Sequence, residues 1–284
     1  MNVWVAASAA PPSPSTWPLT PPATFAAGSP AIQCAPTCTA RSPNSPAWPD
    51  GAHDDGREHL AQHYYGHAWQ LARESDPGHA AFIQRLMAHQ ANDLGHGRSC
   101  VQLAEAAVNH GRGRVDTATL GQLHLALART RAAAGDARAA RNALADAERC
   151  ISAHRDGAER PWWALAMGAP GPLLATHTAK TLRELNDPAV ERHLTASAHR
   201  WSADTHPRVR ALNLCDLGDY HAERGHIEHA CIVWDEALEL LHGIDSARAR
   251  TAITGIRTRL SPYRRRGIAL AACTDMAAAH WLNA

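Results

Sequence analysis

A pattern of small and large residues, anchored on a glycine, recurs four times along the chain. It is most regular at Gly225, which is followed at offsets of 5, 9 and 12 by Ala230, Trp234 and Ala237. Offsets of 5, 9 and 12 place three side chains on one face of a helix that begins just after the glycine. The other three copies begin at Gly56, Gly95 and Gly135. The chain is therefore predicted to repeat a helix that follows a glycine corner.

The pattern also extends upstream of the glycines. Ala88, Ala128 and Gly218 lie seven residues before three of them, and each follows a large apolar residue. A glycine between two such segments predicts a tight turn that joins two helices, and the small residues allow close packing. Asp136 is predicted to cap the second helix of its pair. The predicted helices cover about 79–93, 97–110, 117–133, 137–152, 173–185 and, within a further pair, 207–242.

One copy of the repeat is degenerate. Asn186 replaces its glycine, and Pro188 is predicted at the first position of the helix that follows. A last helix over about 246–260 carries apolar residues on one face and is predicted to cover the apolar end of the array. The sequence thus predicts about five helix pairs and a C-terminal capping helix.

Composition divides the chain into three parts. Residues 1–52 form a predicted disordered segment rich in proline and alanine, because eleven of the eighteen prolines lie in the first fifty residues. Residues 53–260 form the helical repeat domain. Residues 261–284 are predicted to be a C-terminal tail.

Charge limits the classes of partner, and cysteine content indicates the cellular compartment. Lys and Arg number 28 against 27 Asp and Glu, so no global basic field indicates a nucleic acid or a membrane. The seven cysteines show no Cys-x-x-Cys pair, and a cytoplasmic location is expected. Cys100 and Cys231 fall on helix faces that are predicted to be buried.

Catalytic and metal-binding motifs give no positive signal. His59, His63 and His67 are spaced four residues apart, which suits a metal, but no His-Glu-x-x-His motif accompanies them. A solvated polar face is the favoured interpretation of that ladder. We find no nucleophile and base signature and no phosphate-binding loop, so we expect neither an enzyme nor a cofactor.

The helix pairs resemble tetratricopeptide repeats, with Gly218, Gly225, Ala230, Trp234 and Ala237 at the positions that this family favours. More narrowly, the segments 54–65, 87–91 and 260–264 resemble the C-terminal region of helix-turn-helix transcriptional regulators from high-GC bacteria. The resemblance implies an all-α, right-handed tetratricopeptide-type α-solenoid that senses a ligand or partner and dimerises.

This family carries a DNA-binding domain ahead of its repeats, and residues 1–50 show no helix-turn-helix periodicity. We therefore expect no specific DNA binding by this chain. A truncated or frame-disrupted gene is our hypothesis for the difference.

The first helices of stacked pairs line the inner, concave surface of a solenoid. Aligning each corner with the usual repeat position places a polar, modestly basic set of residues on that surface: Phe82, Arg85, His89, Asn92, Gln122, Arg129, Arg183 and Asp219. Arginine and asparagine in such a groove suit a peptide backbone or carboxylate. A protein or peptide interaction module is the predicted function. A homodimerising scaffold without a ligand is the alternative, and a metal- or histidine-dependent enzyme is the less favoured one.

Overall fold

The computed structural model describes residues 56–155, 160–165, 167–244, 246–263 and 268–283. Over these residues the chain is all α-helical, with a short 3-10 turn at Ser261–Tyr263 and no strand. The predicted disordered segment, residues 1–52, lies outside the described residues. The helices are α1 (Glu58–Ser75), α2 (Pro77–Asp93), α3 (Gly97–Gly111), α4 (Thr117–Ala133), α5 (Ala137–Ser152), α6 (Trp162–Leu165), α7 (Pro170–Glu184), α8 (Val190–Arg200), α9 (Pro207–Glu223), α10 (Ile227–Leu241), α11 (Ala247–Leu260) and α12 (Ala269–Asn283).

The predicted corners are confirmed. Gly95, Gly135 and Gly225 have φ angles of 76°, 79° and 80°, and Asn186 adopts φ of 51° in the degenerate copy. Only glycine, and less often asparagine, enters this left-handed region at low cost. At each corner the next backbone N–H donates to the carbonyl oxygen five residues back, at 2.8 to 3.0 Å. The same helix-ending motif therefore closes the first helix of four pairs.

These corners assemble four helix pairs: α2 with α3, α4 with α5, α7 with α8, and α9 with α10. Each second helix also contacts the first helix of the next pair, and α1 packs on α2. First helices contact one another between α2 and α4, between α4 and α7, and between α9 and α11. The faces of α2, α4, α7, α9 and α11 that lie along these contacts are called the first-helix face below.

The core contains the small and large residues of the repeat. Trp234 is fully buried, and a Cβ placed on Gly218 would lie 2.4 Å from its indole nitrogen. Glycine at 218 thus lets α9 approach α10 closely enough to enclose the indole. Cys100 and Cys231 are buried as predicted, with 1% and 0% of their surface exposed. Asp136 caps α5, because its carboxylate accepts a hydrogen bond from the N–H of Ala139 at 3.0 Å.

Two local predictions were wrong. Within the predicted tail, residues 261–284, α12 forms a helix that packs on α10 and α11. Ala271, Thr274 and Ala278 share one face of α12 and are buried there, so small residues allow the close contact. Pro188 does not begin a helix, because α8 starts two residues later at Val190.

The two ends of the array meet. The guanidinium Nη2 of Arg248 on α11 lies 3.3 Å from a carboxylate oxygen of Asp93 at the end of α2. A Cβ placed on Gly56 would lie 3.7 Å from the Cβ of Ala247. The stack of helix pairs therefore curves enough for α11 to reach the end of α2 and Gly56, just ahead of α1.

Candidate functional site

The first-helix face carries a repeated polar position. His89, Arg129, Lys180 and Asp219 each lie six residues before the corner of their pair. His89 and Arg129 belong to one group of side chains, which we call the polar cluster: Arg85, His89, Asp93, Gln122, Arg129, His177 and Arg248. Lys180 and Asp219 belong to a second group, which we call the ion-pair network: Lys180, Arg183, Asp216, Asp219, Glu223 and Arg259.

The polar cluster joins four helices. The rings of His89 on α2 and His177 on α7 stack with their centroids 5.0 Å apart. The Nε of Arg85 donates a hydrogen bond to the backbone carbonyl of Gln122 on α4 at 3.3 Å. Side chains from pairs that are not adjacent in the chain thus meet at one place.

Several buried polar atoms of the cluster form no hydrogen bond within the described part of the chain. They include both ring nitrogens of His89, Nδ1 of His177, Nε of Arg129, and both side-chain amide atoms of Gln122. His89 as a whole is half-buried, but its two ring nitrogens are enclosed by protein. Burying such groups without partners costs free energy. A cluster of them is therefore uncommon in a region that serves only to stabilise the fold.

Asp93 is the carboxylate that faces the cluster's arginines. One of its oxygens lies 3.8 Å from Nη2 of Arg129, and the other lies 3.3 Å from Nη2 of Arg248. The side chains of Asp93 and Arg248 are 35% and 44% exposed, whereas that of Arg129 is 15% exposed. The cluster therefore opens to solvent at the Asp93 and Arg248 end.

The surroundings of both imidazoles keep them neutral. Burial lowers the pKa of His89 well below its ordinary value, and the positive charges of Arg85, Arg129 and Arg248 lower it further. Burial likewise lowers the pKa of His177, followed by the charges of Arg129, Arg85 and Lys180. Every charged group that shifts the pKa of these two rings is thus cationic.

The ion-pair network lies between α7, α9 and α11. Nη2 of Arg259 lies 3.0 Å from a carboxylate oxygen of Asp219. Arg183 reaches Asp216 at 3.7 Å and Glu223 at 2.6 Å. Burial raises the pKa of Asp219 to about 6, against the attraction of Arg259 and Arg183. The network balances its charges internally, in contrast to the polar cluster.

The long connection before α7 covers another part of the first-helix face. Trp163 on α6 stacks on His79 with centroids 5.0 Å apart and contacts Phe82 at 5.1 Å between centroids. Its indole N–H donates to a carboxylate oxygen of Asp76 at 3.2 Å. Arg160 lies 3.8 Å from Asp116, the cap of α4. The connection thus lies against the N-terminal ends of α2 and α4.

The predicted groove residues therefore divide into three sets. Phe82, Arg85 and Gln122 are 2%, 1% and 0% exposed, so they do not line an open groove, contrary to the expectation. Asn92 faces α3, where its side-chain oxygen lies 3.8 Å from the sulfur of Cys100. His89, Arg129, Arg183 and Asp219 keep partial exposure and are brought into the two groups.

Sequence reasoning missed His177, Asp93, Lys180 and Arg248. Lys180 had a usable signal, since it occupies the same repeat position as His89 and Arg129. Arg248 had none, because its contact with Asp93 joins residues 155 positions apart and depends on the curvature of the array.

Outside the first-helix face, a cavity and a row of histidines also bear on function. A cavity of about 940 Å³ lies between α10, α11 and α12, and Trp281, His280 and Cys273 are among its lining residues. In the described ranges, no group of three or more His, Cys, Asp or Glu side chains is arranged to hold a metal ion. His59 and His63 of the histidine ladder are exposed on α1.

Comparison with known proteins identifies no relative: no family model, curated protein or solved structure matches the chain. None of the helices within the described residues is both long enough and apolar enough to cross a bilayer.

Proposed function

We propose that this chain is a tetratricopeptide-type solenoid that captures a protein or peptide ligand on its first-helix face and serves as the sensor module of a bacterial transcriptional regulator. The polar cluster carries the proposal. It gathers charged and hydrogen-bonding side chains from α2, α4, α7 and α11 at one partly open position, beside Asp93 and Arg248. Convergent polar groups of this kind suit a peptide backbone or terminus.

The fold supports this assignment. Four corners of the same geometry, each followed by a helix with buried small residues, are what a tetratricopeptide-type array requires. Such arrays bind partners mainly on their extended inner surface, and here the polar cluster lies on the first-helix face. Because Asp93 lies on α2 and Arg248 on α11, binding at the polar cluster would affect both ends of the array.

Peptide capture tests the proposal. We expect the protein to enrich a subset of a soluble random peptide library, and Arg129→Gln to weaken the binding of the selected peptides at least about tenfold, because a hydrogen bond to a charged group is lost. Arg129 is preferred to Arg85, which is 1% exposed and whose loss would disturb packing. Fluorescence anisotropy with labelled peptides gives the affinities.

The matched control is Arg149→Gln, which removes an arginine whose side chain is 73% exposed on α5. This variant should bind the selected peptides as the unaltered protein does. If the library yields no enriched peptide, or if both variants bind equally well, capture at the polar cluster is refuted.

A homodimerising scaffold is the second candidate, and one observation favours it. Leu60, Tyr64 and Leu71 on α1 are 37%, 42% and 53% exposed. Exposed apolar residues on one helix suit contact with a second copy. Light scattering measures the molar mass in solution. We expect twice the mass of one chain for the unaltered protein and the mass of one chain for Leu71→Arg. A single-chain mass for the unaltered protein contradicts this candidate.

A further inference from the structure

The polar cluster holds an excess of positive charge in a partly enclosed position. Arg85, Arg129 and Arg248 reach it from three helices, and the charged groups that shift the pKa values of its two histidines are all cationic. The carboxylate of Asp93 lies near two of them, Arg129 and Arg248. Guanidinium groups prefer planar or tetrahedral oxyanions, which accept several N–H donors at once.

The cluster also holds buried polar atoms that form no hydrogen bond within the described residues. The side-chain amide of Gln122 is fully buried, and His177 is 9% exposed, yet the amide and Nδ1 of His177 form no hydrogen bond in the described residues. Nε of Arg129 is also buried and forms no hydrogen bond within the described part of the chain. An anion with several oxygens would satisfy donors that no protein group satisfies now.

Asp93 shows where such an anion enters. Its carboxylate occupies the exposed end of the cluster, between Arg129 and Arg248, at 3.8 and 3.3 Å from their nitrogens. Both distances are longer than the roughly 2.7–2.9 Å of a strong arginine–carboxylate hydrogen bond. A ligand oxyanion that approaches both guanidinium groups more closely would therefore compete with this side chain.

We propose that the polar cluster is a binding site for a small oxyanion, a phosphate, sulfate or carboxylate group, which displaces Asp93 from Arg129 and Arg248. The inference deepens the proposed function and rests on it in using the same surface. Because Asp93 lies on α2 and Arg248 on α11, displacement also breaks a contact between the two ends of the array. Anion binding is thereby coupled to opening of the solenoid.

Proton uptake is the signature of this site. Anion binding would offset the positive field of Arg85, Arg129, Arg248 and Lys180, which now helps to lower the pKa of both imidazoles. Both histidines would then bind protons more readily. Sulfate is the best probe because it does not titrate near neutral pH, so a proton taken up on its binding is bound by the protein and not by the ligand.

The experiment is calorimetric titration of the full chain with sodium sulfate, against sodium chloride at equal ionic strength. We expect sulfate binding with net proton uptake, seen as a dependence of the heat on the ionisation enthalpy of the buffer. Arg129→Gln should weaken binding at least about tenfold, by loss of a charge-assisted hydrogen bond. Asp93→Asn should tighten it about threefold or more, because a competing charge is removed.

Arg149→Gln is the control for total charge and should bind sulfate as the unaltered protein does. Circular dichroism melts of all variants establish that they are folded. Absence of sulfate binding, equal binding by Arg129→Gln, or no gain in Asp93→Asn overturns the inference. A role of Asp93 in stability alone would give no tighter binding.

Titrations with the selected peptides distinguish this inference from the proposed function. Selected peptides are titrated with a free or an amidated C-terminus, with and without sulfate. Competition by sulfate and loss on amidation identify a peptide carboxylate as the oxyanion. Peptide capture that is weakened by Arg129→Gln but insensitive to sulfate refutes the anion site and leaves the proposed function standing. Sulfate binding without peptide capture supports the site and refutes the proposed function.

Discussion

Replacing Trp234 with alanine is expected to lower the free energy of unfolding by about 3 to 5 kcal/mol. The indole is 0% exposed and lies between α9 and α10, where Gly218 leaves room for it. Removing it takes away the transfer free energy of a large aromatic group and leaves a cavity between two helices. The backbone of α9 cannot close that cavity easily, since it already contacts α10 along its length.

Urea unfolding followed by circular dichroism measures this effect, with Trp162→Ala as the matched control. Trp162 is 47% exposed on α6, so the same substitution there should cost about 1 kcal/mol or less. A loss below about 1 kcal/mol for Trp234→Ala would contradict the close packing of α9 on α10. Because repeat arrays unfold in parts, the slope of the transition is compared as well as its midpoint.

The helix pairs were predictable because their determinants are local. The bounds of α4 and α5, Thr117–Ala133 and Ala137–Ser152, agree with the predicted 117–133 and 137–152. A glycine that must adopt positive φ, a capping aspartate and small residues at helical spacing act within one turn of each other. Asn186 was recognised as a corner for the same reason, since asparagine tolerates the left-handed region.

The state of the candidate site was less predictable because its contacts are not local. The repeat position identified His89, Arg129 and Asp219, but whether such residues line a groove or are enclosed depends on how tightly the array curves. Phe82 is covered because Trp163 folds back from a connection that has no counterpart in the other pairs. No periodic pattern in the sequence records that contact.

The C-terminal helix α12 was not predicted from the sequence because its packing also depends on its neighbours. Residues 269–283 contain many alanines and few large apolar residues, so the segment shows no clear amphipathic stripe. The packing of α12 on α10 and α11 comes from small residues that allow close contact. Helices of this kind are stabilised by their neighbours more than by their own pattern.

Replacing Asp219 with asparagine is expected to stabilise the protein near neutral pH and to flatten its dependence on acid. Asp219 keeps only 19% of its side chain exposed, and burial raises its pKa to about 6, with Asp216 and Glu223 adding to the rise. Arg259 and Arg183 attract the ionised form, but they do not offset the loss of hydration. Ionised Asp219 is therefore a cost to the folded state above the pKa.

The sign of the effect follows from proton linkage. The folded protein holds a proton on Asp219 up to about pH 6, whereas the unfolded chain releases it near the ordinary value of 3.8. Stability from this group is thus fully present below about pH 4 and is lost as pH rises to about 6. A shift of about two units corresponds to about 2 to 3 kcal/mol. Asp219→Asn cannot ionise, so it should lose none of this stability.

Urea unfolding of both proteins at about pH 4 and about pH 7 measures the difference. The stability of Asp219→Asn relative to the unaltered protein should rise by about 2 to 3 kcal/mol between the two conditions, because each pKa unit is worth about 1.4 kcal/mol. The histidines titrate in both proteins and cancel in this comparison. Asp204→Asn, at an exposed position, should show no such rise. A constant difference across pH, or a loss of stability at pH 7, would mean that Arg259 and Arg183 fully compensate the buried carboxylate.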